Sequence, residues 1–119
     1  MDSRDKILSG PEAAKLAQEW RAAGLDVQLA AGWFDPMLAE SAEELARLKR
    51  PGAKLMILLD EPPEAILAWR ARAEMVAALR PVDAVAPFSE VGLAPSVDLR
   101  EQHGRLRAEF IGHVFERMR

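Results

Sequence analysis

Val27-Gln28-Leu29-Ala30-Ala31-Gly32-Trp33-Phe34-Asp35 reads as a short buried strand that runs into Gly-Trp-Phe-Asp, with Pro36 opening a helix behind it. A strand that passes through glycine into a helix start is where α/β proteins place phosphate-binding chemistry. The first-turn N–H groups and the helix dipole favour an anion there. The residues that follow, Pro36-Met37-Leu38-Ala39-Glu40-Ser41, supply no basic group. The stretch has the architecture of an anion site without its charges.

Upstream, Ser9-Gly10-Pro11-Glu12 is a capping box with proline near the helix start. Ala13, Leu16, Ala17, Trp20 and Ala23 then recur at helical spacing, and Gly24 ends the helix. Downstream, a second helix is expected from about Pro36 to Arg50, with Leu38, Ala42, Leu45 and Leu48 on one face, stopped by Pro51-Gly52. Leu55-Met56-Ile57-Leu58-Leu59 is a continuous apolar run, as a strand buried on both faces requires. A third helix is expected from about Pro63 to Leu79, with Ile66, Leu67, Ala73, Val76 and Ala77 inward, then a third strand from Val82 to Pro87. Ser89 to Pro95 reads as a loop. Ser96 or Asp98 then caps a last helix from about Leu99 to Met118. Strands alternating with helices imply a parallel sheet with right-handed crossovers. The expected fold is a small three-layer, Rossmann-like α/β domain spanning residues 1–119. Its sheet has three or four parallel strands in 3-2-1 order, and a long C-terminal helix follows.

Composition narrows the function classes. The chain has 119 residues, enough for one domain, and half are hydrophobic. A net charge of -3 without a like-charge run gives no footprint for nucleic acid. The absence of cysteine excludes disulfides, thiolate metal sites and cysteine nucleophiles. The longest apolar run is too short to span a bilayer, and no signal peptide is visible, so a cytoplasmic protein is the expectation.

Two segments resemble the cytidylyltransferase-like nucleotidyltransferases, in the branch of heptose-phosphate adenylyltransferase and glycerol-3-phosphate cytidylyltransferase. Gly32-Trp33-Phe34-Asp35 is similar to the family's Gly-x-Phe-Asp strand end. The run from Arg72 to Phe88, Arg-Ala-Glu-Met-Val-Ala-Ala-Leu-Arg-Pro-Val-Asp-Ala-Val-Ala-Pro-Phe, is similar to the family's Arg-Ala-Glu-x-x-x-Ala-Leu-x-x-Val-Asp-x-Val-x-x-Phe segment. Asp60 ends the second strand where the family has a polar turn. The resemblance covers roughly residues 6 to 88. It implies a fold built to transfer a nucleotidyl group from CTP or ATP to a phosphorylated small molecule.

The departures bear on activity. Where the family carries His-x-Gly-His, whose imidazoles hold the triphosphate, this chain has Leu38-Ala39-Glu40-Ser41. Leu38 offers no donor, and Glu40 sets a negative charge against a polyanion. At about 4 Å and an effective dielectric near 20 that repulsion is about 4 kcal/mol, and lost transition-state donors add to it. Only Glu61 to Arg70 bridges the second strand and the Arg-Ala-Glu helix, where the family has a longer substrate-contacting loop. Ser96-Val97-Asp98-Leu99-Arg100 is loosely similar to the family's Ser-Thr-x-Ile-Arg phosphate motif. A catalytically degenerate protein is therefore expected, acting as a ligand-binding or protein-interaction module. The alternative is a divergent, active transferase.

No catalytic or metal-ligating residue is assigned. Candidate ligand-binding residues are Gly32, Trp33, Asp35, Arg72, Ser96 and Arg100. Gly32 supplies backbone freedom or close packing. Trp33 either stacks on a base or fills the space of an absent ligand. Asp35 either orients a ligand or its magnesium ion, or caps the helix opening at Pro36. Arg72 either forms an anion site with Arg100 or makes a surface ion pair. A nucleotide with magnesium is the implied cofactor only if that site survives. His103 and His113, ten residues apart on one helix, do not face a common ligand, and Glu109 with His113 lacks a third. The wide apolar stripe of the last helix (Leu106, Phe110, Ile111, Val114, Phe115, Met118) predicts a homodimer through that helix, which covers an open edge or face of the first strand.

Overall fold

The computed structural model describes residues 2–118. A 3-10 turn, Ser3–Lys6, precedes helix α1 (Gly10–Ala22). Strand β1 (Val27–Gly32), helix α2 (Ala39–Leu48), strand β2 (Lys54–Leu59) and helix α3 (Trp69–Ala77) follow. Strand β3 (Ala84–Pro87), the one-turn helix α4 (Phe88–Val91), strand β4 (Val97–Asp98) and helix α5 (Arg100–Arg117) complete the chain.

The four strands form one sheet in the order β3-β2-β1-β4, with every pairing parallel. This is a three-layer, Rossmann-like α/β arrangement. The expected 3-2-1 order stands, and β4 lies outside β1. Alternation along β2 divides the core. Leu55, Ile57 and Leu59 face Leu45 of α2 and Ala73, Val76 and Ala77 of α3. Met56 and Leu58 face Ala13 and Ala17 of α1 and Val91 of α4. Those alanines let α1 lie close on the sheet. The capping box forms, with Glu12 N–H donating to Ser9 Oγ at 3.3 Å and Ser9 N–H to Glu12 Oε1 at 3.0 Å.

Several boundaries differ from expectation. The α2 helix begins at Ala39, with Leu38 as its N-cap and no side-chain capping bond, so Asp35 does not cap it. The third helix begins at Trp69, because the N–H groups of Ile66 and Leu67 are drawn to Asp35 instead of a helical ladder. Ile66 is correspondingly exposed. Within the expected loop from Ser89 to Pro95, α4 continues directly from β3. The open edge expected on β1 is absent: β4 pairs with it at Ala30 and Ala31. The Ser96 hydroxyl extends that pairing, accepting from Leu29 N–H at 2.9 Å and donating to Leu29 O at 3.1 Å. No helix among the described residues is long and apolar enough to cross a membrane.

Candidate functional site

In an open parallel sheet, ligands bind beyond the carboxyl ends of the strands, where the strand order reverses. Here that point lies between β1 and β4. A cleft of about 450 Å³ opens there, lined by Trp33, Asp60, Asp98, Arg100 and Glu101. Of the six sequence candidates it brings together Trp33 and Arg100. The other four do not line it.

Gly32 ends β1 at a point of very close approach. A Cβ there would sit 2.6 Å from His103 Cε1 and 2.8 Å from Phe34 Cε2. Beyond it, Phe34 takes a left-handed φ of 47° and buries its ring. Consecutive N–H groups in such a turn form a concavity that suits an anion. In this chain an imidazole fills it. His103 Nδ1 accepts from Trp33 N–H at 3.0 Å and Phe34 N–H at 3.3 Å, and its ring meets Phe34 edge to face at 4.3 Å. His103 is 5% exposed. Burial pushes its pKa down to about 4, partly opposed by the Asp98 charge, so the ring is neutral near pH 7. The acceptor geometry requires the neutral form, because a protonated Nδ1 would meet two N–H donors with a third.

Arg72, which the sequence left between an anion site and a surface ion pair, is completely buried as an internal brace. Its Nε donates to Leu67 O at 3.1 Å, its Nη1 to Trp33 O at 3.0 Å and Asp60 O at 2.8 Å, and its Nη2 to Glu61 Oε2 at 2.9 Å. One guanidinium thus ties the ends of β1 and β2 to the loop before α3. Asp35 is the second brace. Its carboxylate accepts from Ile66 N–H at 2.8 Å and Leu67 N–H at 2.9 Å, and Arg107 Nε of α5 lies 3.4 Å away. Ser96 is held against β1 as described above.

Among the described residues, Arg100 is the one basic group on the cleft wall. It grips Asp98 through Nε and Nη2 (2.7 Å at the latter), reaches Asp60 Oδ2 at 3.1 Å and lies over the Phe88 ring at 4.6 Å. These bonds raise the pKa of Arg100, and Arg100 in turn lowers that of Asp98. Three carboxylates against one committed guanidinium give the cleft an excess of negative charge. Trp33 rests near α5, where a Cβ on Gly104 would come 3.4 Å from its Cζ3. Its Nε1 is buried without a hydrogen-bond partner among the described residues.

Sequence reasoning missed His103 and Arg107 as partners of the β1 turn. Gly32 carried the one hint, a position without a side chain at a strand end, but nothing local names what presses on it. Among the described residues, no three His, Asp or Glu side chains are grouped so that they could hold a metal ion. No protein-family model matches the chain, and no curated protein sequence matches it.

Proposed function

We propose that this protein is a non-catalytic interaction module on a nucleotidyltransferase-like scaffold, acting as a homodimer through its C-terminal helix. The observation that carries the reading is the His103 imidazole seated on the Trp33 and Phe34 N–H groups. A phosphate at that turn would have to displace a buried side chain of the chain's own α5. The surroundings point the same way. The first turn of α2 carries Glu40 and no basic residue, and the cleft above is mainly acidic. Electrostatic stabilisation of a transferring phosphoryl group needs unspent donors aimed at it, and Arg72 and Arg100 are spent within the chain. What remains available for binding is α5, whose distal half presents apolar side chains to solvent.

The reading is tested by calorimetric titration with millimolar ATP and CTP plus magnesium, alongside pyrophosphate release with a phosphorylated acceptor. No saturable heat and no pyrophosphate are expected. Saturable heat would overturn the closed-turn reading, and pyrophosphate release would establish a divergent transferase.

A further inference from the structure

Among the described residues, the distal half of α5 is largely uncovered. From Phe110 onward every described residue except Ile111 is exposed. The exposed apolar groups are Phe110 (36%), Val114 (41%), Phe115 (64%) and Met118 (76%). Phe110, Val114 and Met118 recur every four residues, so they form one row along the helix, and Leu106 continues it toward the body. There the row enters a groove of about 230 Å³ between the start of α2 and α5, lined by Leu38, Glu40, Leu106, Glu109, Phe110 and His113.

We infer that this groove receives the α5 tip of a second copy, with the two helices antiparallel and each tip seated in the other's groove. The inference rests on the reading of the chain as a self-associating module. Three features select this occupant. The first is register. Antiparallel pairing centred on residue 112 sets Leu106 opposite the partner's Met118 and Phe110 opposite the partner's Val114, so the row is complementary to itself. From the crossing point at residue 112 to Met118 is about 9 Å at 1.5 Å per residue, which carries the tip into the partner's groove. The second is charge. The groove rim holds Glu40 and Glu109; the tip carries Glu116 and Arg117, and the same pairing brings Arg117 beside the partner's Glu109. The third is area. The four side chains present about 400 Å² of largely apolar surface per copy. With the groove walls and charged rim, two copies bury about 1,200 Å², the low end of specific interfaces. An area of that size suits a weak, reversible dimer. The contact is isologous and closes on itself without propagating.

Sedimentation equilibrium of the full chain, from about 5 to 500 µM, tests this. The wild type is expected to dimerise. Val114→Glu alters a residue outside the core and should raise Kd at least about 20-fold. Leu38→Glu in the groove, and Glu40→Arg on its exposed rim, should also weaken the dimer. Glu109→Arg and Arg117→Glu should each weaken it about 3- to 5-fold and together restore it to within about twofold. A wild type that stays monomeric at 500 µM overturns the inference, while the nucleotide titration separately judges the closed turn. A dimer lost in Val114→Glu but unchanged by both Leu38→Glu and Glu40→Arg overturns the groove seating. Failure of the charge-reversal pair to restore affinity overturns the register.

Discussion

Protonating His103 should cost the protein its β1 turn, and the cost is measurable as a pH dependence of stability. The folded pKa is about 4 against an ordinary value of 6.5. The unfolded chain therefore binds more protons than the folded one between those values, and stability must fall as pH drops through that window. At 1.36 kcal/mol per pKa unit the full loss is about 3 kcal/mol, complete below about pH 4 and absent above about 6.5. Urea unfolding followed by tryptophan fluorescence, at intervals between about pH 7 and 4.5, reads it, with ordinary carboxylates beginning to protonate at the lower end. His103→Asn provides the control. Its Oδ1 can replace Nδ1 as acceptor for Trp33 and Phe34 N–H but does not titrate. The difference between wild type and this variant should carry the slope, and His113 and the carboxylates cancel in it. His103→Ala removes the acceptor altogether. It leaves two buried donors unpaired and a void beside Gly32, for a loss of about 2–4 kcal/mol at pH 7. A wild-type stability that is flat from pH 6.5 to 4.5, or an equal slope in His103→Asn, would refute the buried neutral imidazole.

Other substitutions probe the braces around the same turn. Arg72→Met should destabilise by about 2–4 kcal/mol in chemical denaturation, because the carbonyls of Trp33, Asp60 and Leu67 lose their donor in a buried place; a neutral result would mean water replaces the guanidinium. Gly32→Ala should cost about 1–3 kcal/mol, since its Cβ has no room against His103 and Phe34. Asp35→Ala should cost a similar amount and raise amide exchange at Ile66 and Leu67. The triple variant Leu38→His, Glu40→Gly, Ser41→His sets two histidines at the start of α2 yet should still show no calorimetric binding of ATP, because His103 continues to hold the turn.

The layers of this fold were legible where the signal is local. The Ser9–Glu12 box, the apolar run of β2 and the strand into Gly32 all depend on near neighbours in sequence, and the structure places each element there. Errors arose where a distant group decided the outcome. Ile66 and Leu67 continue a helical pattern, but a carboxylate 31 and 32 residues away takes their N–H groups and holds them outside the helix. β4 is two residues long, too short for any alternation to announce it, and is pinned by a Ser96 bond across 67 residues. Arg72 begins a segment that resembles a family of phosphate-handling enzymes, and on a helix an arginine ordinarily reads as exposed. Its burial follows from three carbonyls that only the folded chain brings together. His103 lies 70 residues from the turn it fills. The end of β1 at Gly32 was therefore legible in the sequence, while the side chain that fills the turn beyond it came from α5.

Imidazole and amide NMR of the intact protein, with and without millimolar Mg·ATP, addresses the central claim most directly. His103 is expected to be the Nε2–H tautomer with an unprotonated Nδ1 coupled to the Trp33 and Phe34 amides and to titrate near pH 4, and nucleotide is expected to move none of these signals. A His103 protonated at Nδ1, a midpoint near 6.5, or saturable displacement of the Trp33 and Phe34 amides by nucleotide would contradict that claim.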